Sequence, residues 1–334
     1  MEEFPWPVGA ATGVGSLPGT DVIEAVKLVF GELPDLPHLP ELPGRGPGSE
    51  IIGRTAGLLT DLPVDLYAGR WRLGPRAGVD SRRTRDLLER DLDVLTDAAD
   101  GYTGLVKVQA CGPWTLAAGL DLQIGGRVLH DHGATRDLAA SLAEGLRAHV
   151  ADVGRRLPAA RVLLQLDEPS LPAVLAGRVP TESGLHTLRS VATSDALSSL
   201  KSIVDSVGVP VVVHCCDRDV PLSLLADAGA RAVSVDLSLL PTDRAGMDAL
   251  GTLLDAGVGL FAGVVPTQGA LPSSQAVASS AETVWRQLGF PLARLPEQVV
   301  VTPACGLASS TLADATARLK AAVEAGRRLA EHRQ

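Results

Sequence analysis

The run Val211-Val212-Val213-His214-Cys215-Cys216 ends an aliphatic stretch in side chains that can bind a metal. Strand side chains alternate between faces, so an extended backbone sets His214 and Cys216 on one side and Cys215 on the other. Imidazole nitrogen and thiolate are both good zinc ligands. The pair alone carries little weight, because buried cysteines commonly serve as small inert hydrophobes. A second run, Val299-Val300-Val301-Thr302-Pro303-Ala304-Cys305-Gly306-Leu307, is again an aliphatic strand that ends in a thiol. Together they point to one site assembled from several strands. Zinc takes four ligands, and a catalytic site keeps one position exchangeable. His214, Cys216 and Cys305 supply three. Asp236, closing the next predicted strand, is expected as a fourth ligand or as a group that orients one. Two thiolates lower the charge on the metal and keep a further bound thiolate nucleophilic, and zinc deprotonates a bound thiol at neutral pH. Such a donor set suits alkyl transfer to a thiol better than hydrolysis, which ordinarily uses His and carboxylate ligands.

The carboxylates have a separate reading. Glu41, Asp167 and Glu168 are placed to hold an ammonium group or to act as acid and base. Asp167-Glu168-Pro169 also reads as a turn that caps the following helix, and Glu41, among prolines, also reads as exposed. Ser16 either donates to a carboxylate or caps a turn. Trp114, after Gly112-Pro113, offers a stacking face or packs in the core. The remaining histidines lack ligand spacing.

These residues need a frame that brings strand ends together. Eight aliphatic runs predict strands near 11–16, 36–41, 104–110, 161–167, 209–215, 231–236, 257–264 and 297–304. Helical patterns follow them at 20–31, 48–60, 134–156, 195–206, 220–229, 243–255, 272–288 and 309–331. Continuous aliphatic strands alternating with helices indicate a parallel sheet covered on both faces. Eight such units predict an α/β fold, a (β/α)8 TIM barrel, with 1–334 as a single domain. The alternative, an open doubly wound sheet, lacks its phosphate loop, since Gly13-Val14-Gly15-Ser16-Leu17-Pro18 breaks the glycine pattern at Pro18. Rim insertions are expected near 70–100, with a charged, solvated helix over 78–100, and at 176–186. Barrels of this kind carry function at the C-terminal ends of strands, where Ser16, Glu41, Asp167, His214, Asp236 and Cys305 all fall.

Composition narrows the function classes. The 334 residues are 46% hydrophobic but only 3% aromatic, and the formal net charge is −9. No basic stripe interleaves with aromatics, so nucleic-acid binding is not expected. No uncharged apolar run reaches the roughly 18–20 residues of a membrane span. The start, Met1-Glu2-Glu3-Phe4-Pro5-Trp6-Pro7, is acidic and broken by prolines, unlike a signal peptide. A cytoplasmic protein is expected. Its four cysteines then read as metal or catalytic thiols before disulfides.

Gly15-Ser16-Leu17-Pro18, Gly112-Pro113-Trp114-Thr115, Gln165-Leu166-Asp167-Glu168-Pro169, His214-x-Cys216 and Ala304-Cys305-Gly306-Leu307 follow one another in this order. The set resembles the C-terminal catalytic barrel of cobalamin-independent methionine synthase. The resemblance implies a TIM barrel with zinc on His214, Cys216 and Cys305. The family's remaining ligand is a Glu, whose place Asp236 holds here. It also implies homocysteine as acceptor, its amino group against Asp167 and Glu41 and its carboxylate near Gly15-Ser16. Full-length members carry a second, N-terminal barrel, so this chain is expected to be the short, single-barrel form. The family's general-acid His after the seventh strand is missing from Phe261-Ala262-Gly263-Val264-Val265-Pro266-Thr267. The expected donor is therefore methylfolate or a methylcorrinoid protein. Rival readings are a metal-free barrel like uroporphyrinogen decarboxylase, a related zinc thiol alkyltransferase, and a non-catalytic zinc protein.

Overall fold

The computed structural model describes residues 3–333. Two strands, β1 (Val64–Tyr67) and β2 (Arg70–Leu73), form a small antiparallel hairpin. Six more make a parallel sheet: β3 (Leu105–Cys111), β4 (Arg161–Asp167), β5 (Val211–Cys215), β6 (Ala232–Asp236), β7 (Gly259–Val265) and β8 (Val299–Pro303). They neighbour one another in chain order. Two short extended segments close this sheet into a ring. Thr12 N donates to Val301 O and Val301 N to Ala10 O, so the first segment lies beside β8. Leu39 N donates to Lys107 O and Lys107 N to Pro37 O, so the second lies beside β3. The two meet where Leu17 N donates to Glu41 O at 2.9 Å and Glu41 N to Gly15 O at 3.1 Å. The eight expected stations of the barrel are all occupied.

Helices start where a short polar side chain can accept from the first free amides. Asp21 begins Val22–Glu32, Asp131 begins His132–Arg156, Asp243 begins Arg244–Asp255 and Thr311 begins Leu312–Ala330 in this way. The expected helix at 48–60 shortens to Ile51–Ala56. The charged stretch holds a helix over Val79–Ala98, but that helix is not an addition on the rim. It is the crossover into β3, and Leu88, Leu92 and Leu95 bury one face in the main core. Its fully buried Asp91 accepts from Arg45 Nη1 and Nη2 at 2.6 and 2.7 Å, and from Arg54. The charges that made this stretch look solvated therefore include an internal clasp. The hairpin is the addition on this side. At 176–186, Thr181 N donates to His186 O and Pro180 pairs with Thr187, which closes a loop.

Strand alternation fills the barrel in layers. Leu105, Leu163, Val212, Ala232, Phe261 and Val300 form the lowest, with Trp6 beneath them as a plug. The Trp6 and Phe261 rings meet edge to face at 5.1 Å. Gly259 is glycine because a Cβ there would enter the Trp6 ring. Two residues further along each strand stand Lys107, Gln165, His214, Ser234, Gly263 and Thr302. The interior thus turns from apolar to polar within one strand step, toward the end where the strands finish.

Candidate metal centre and substrate site

β5 and the turn after β8 deliver the three sequence-predicted ligands to one place. One ligand atom from each of His214, Cys216 and Cys305 lies within 4.8 Å of the others. Cys216 Sγ and Cys305 Sγ are 3.1 Å apart. His214 is buried, and its Nδ1 is 2.9 Å from Ser234 Oγ on the neighbouring strand β6. Its Nε2 is buried without a protein partner. A buried ring nitrogen without a partner is costly, and one whose opposite nitrogen is already held is set up as a ligand. The Cys216 contact, with His214 adding to it, holds Cys305 below the ordinary thiol range. Cys216 is held above it, chiefly by the same contact. The two sulfurs sit within hydrogen-bond distance of each other, the arrangement of a donor pair that a cation would draw on. One nitrogen and two sulfurs fit zinc, and three protein ligands leave a fourth position for exchange.

Asp236 does not join this group. Its Oδ1 accepts from Ser238 N at 2.9 Å and Ser238 Oγ at 2.6 Å, which ties its short side chain into the turn after β6. Cys215 faces the opposite way, fully buried in the core, and burial pushes its thiol up to about 12.

The acids separate into two roles. Glu168 accepts from Trp114 N at 2.9 Å, Thr115 N at 2.8 Å and Thr115 Oγ1 at 2.7 Å. It caps the helix Pro113–Gly119, and burial pushes it up to about 7 against those bonds. Asp167 is left for the site. Its Oδ1 accepts from Gln165 Nε2 at 2.6 Å, and burial raises it to about 7 while His214 and Lys107 pull the other way. Glu41 is buried, not exposed among its prolines, with Arg54 at 3.9 Å. Burial raises it, and Arg54 opposes the rise. The Ser16–Glu41 bridge joins the two N-terminal segments and brings both residues to the mouth. At Gly15 a Cβ would come within 3.0 Å of the Gln109 side chain, so any side chain there would have to displace Gln109 slightly. Gly306 likewise could not carry a Cβ against Ser16, so the turn bearing Cys305 abuts the Gly15-Ser16 segment.

Trp114 is a correction. It is 3% exposed, belongs to the main core, and donates from Nε1 to Ala196 O at 3.2 Å. Its indole is packed among helices and offers no stacking face. Polar residues absent from the sequence-based site also lie within the barrel, among them Lys107, Gln165, Ser234 and Thr302. Their signal was a polar residue at strand spacing inside an aliphatic run, as in Leu105-x-Lys107-x-Gln109 and Leu163-x-Gln165-x-Asp167.

Two solved structures share the fold. A B12-independent methionine synthase from Shewanella sp. W3-18-1, in complex with selenomethionine, superimposes with a TM-score of 0.65 at 12% identity, covering 97% of this chain and 98% of that one. A methyltransferase from Methanosarcina mazei gives 0.57 at 14% identity, over 98% and 94%. No curated protein matches the chain in sequence. The family model described as cobalamin-independent synthase, catalytic domain, matches residues 79–328, which takes in β3 to β8 and all three candidate metal ligands. With that match the chain belongs to the cobalamin-independent synthase catalytic-domain family.

Proposed function

We propose that the protein is a zinc-dependent S-methyltransferase that methylates the thiol of homocysteine to give methionine. The observation that carries this reading is the His214–Cys216–Cys305 cluster, three convergent donors at the end of the barrel where the buried carboxylates Glu41 and Asp167 also lie. Zinc held by these three side chains would supply deprotonation of the acceptor thiol at neutral pH. The chain's own groups do the rest. Asp167 and Glu41 accept from the amino group, and the Gly15-Ser16 segment takes the carboxylate, which aims the thiol at the donor. The thiolate sulfur attacks the methyl carbon, and the bond from that carbon to its former carrier breaks with the electron pair going to the carrier.

The carrier follows from what stands after β7. Pro266, Thr267 and Gln268 occupy that end, and none is a general acid. A tertiary amine such as methylfolate leaves well only if its nitrogen is protonated. A methylcorrinoid leaves as the reduced cobalt species and needs no proton. A methylcorrinoid protein is therefore the favoured donor. A polycarboxylate substrate, the metal-free alternative, would need free cations at the mouth, and Arg45 and Arg54 are committed to Asp91.

The test is metal content and methyl transfer measured together. Purified protein should carry about one equivalent of zinc, and Cys305→Ser or His214→Ala should lose it. Homocysteine should be methylated faster from methylcobalamin than from methylfolate. Zinc-free wild-type protein with unimpaired transfer in both variants would sink the proposal.

A further inference from the structure

Lys107 is fully buried inside the barrel. Its Nζ donates to Val14 O and to Gln165 Oε1, both at 2.8 Å. The Gln165 amide nitrogen donates to Val14 O at 2.8 Å and to Asp167 Oδ1 at 2.6 Å. Directly below stands the apolar layer of Leu105, Leu163, Val212 and Phe261. A buried ammonium is expensive even when paired, and a methionine of similar length would fill the same space at less cost. Packing therefore does not account for the charge, whereas the hydrogen-bond chain does.

A lysine ammonium has three donors and no acceptor. Facing Lys107, the Gln165 carboxamide must present its oxygen, so its NH2 must point at Asp167. Without that ammonium the buried amide oxygen loses its donor, and only Val14 O and Asp167 Oδ1, both on the NH2 side, still hold the amide in place. We infer that Lys107 is a positioning residue: through Gln165 it fixes the Asp167 carboxylate, occupying Oδ1 and leaving Oδ2 to accept from the amino group of an α-amino thiol. The inference rests on the proposed function, in which Asp167 meets that amino group. Burial lowers Lys107 to about 8, and Asp167 and Glu41 oppose the shift, as expected for a cation set beneath an acidic pair.

The experiment compares two thiols on zinc-loaded protein by calorimetry: homocysteine, and 4-mercaptobutanoate, which lacks only the amino group. Wild type should favour homocysteine by about ten- to hundredfold, the range of a hydrogen bond between charged groups. Lys107→Met should lower that ratio several-fold, Glu41 still accepting from the amino group, with zinc content and 4-mercaptobutanoate affinity unchanged. Gln165→Met breaks the same chain one link later and should do the same; it decides the matter if Lys107→Met fails to fold. A collapse of the barrel interior would weaken both thiols together. Proportional loss of both, or a ratio that survives in a folded variant, overturns the inference. A wild type that does not distinguish the two thiols overturns the functional reading, and the inference with it.

Discussion

His214 is held from one side and free on the other. Ser234 fixes Nδ1, which leaves Nε2 as the candidate ligand atom. Groups that orient a metal-binding His typically contribute 10- to 100-fold in metal affinity. Ser234→Ala should therefore lower zinc affinity by about that factor, read by competition with a chromophoric chelator, while Cys215→Ala, on the opposite face, should leave it unchanged. Glu168 gives a pH signature. Its folded pKa, about 7, lies above the ordinary 4.5 because of burial. The folded state then binds more protons than the unfolded one between those values, so this contribution is full below about 4.5 and is lost as pH rises toward 7. Its size is on the order of 3 kcal/mol. The urea midpoint of Glu168→Gln should fall less between pH 5 and 8 than that of wild type. An equal fall in both would contradict the assignment.

Strands and helices explain which parts of the site could be read in advance. The six strands of the parallel sheet were legible because each is a short aliphatic run, which the buried faces of a barrel demand, whereas the stations at 11–16 and 36–41, broken by glycine and proline, hold isolated bridges instead of full strands. His214, Cys216 and Cys305 were legible because they interrupt such runs at strand ends. Trp114 was legible only as stacking face or core, because Gly-Pro-Trp alone does not decide between them; the proline opens a helix whose first amides are capped by Glu168 from β4, which packs the indole inward. That partner lies 54 residues away. Asp236 was misread because Ser238, two residues on, closes a turn that a strand-end rule does not anticipate. Lys107 was visible as a polar break in β3, yet nothing in the sequence tells whether such a residue points inward. The plug is a property of this scale as well. Trp6 is 4% exposed against Phe261, so Trp6→Ala should destabilise the protein by about 3–5 kcal/mol, measured by denaturant unfolding. A loss under 1 kcal/mol would show that the barrel floor does not depend on it.

Across the whole molecule, the Val79–Ala98 crossover ties the acidic site to the outer layer. Asp91 engages both Arg45 and Arg54, and Arg54 reaches toward Glu41. Removing one member of a buried ionic cluster leaves charges unpaired and costs about 3–5 kcal/mol. Asp91→Ala should show a loss of that order in thermal or denaturant unfolding, and it should also weaken homocysteine binding through Glu41. A variant as stable as wild type would remove Asp91 from this role. No described helix is long and apolar enough to cross a membrane.

The ring is closed by two short segments, and that division of labour reaches beyond folding. All three metal donors lie between residues 214 and 305, whereas Ser16 and Glu41 come from the closing segments before residue 42. On the proposed function, the residues that would hold the metal and two that would face the acceptor, Ser16 and Glu41, thus come from separate stretches of the chain, with Asp167 on β4 between them. On that reading, substitution of Ser16 or Glu41 should change which thiol is preferred and leave zinc content unchanged, read by metal analysis beside a comparison of thiols.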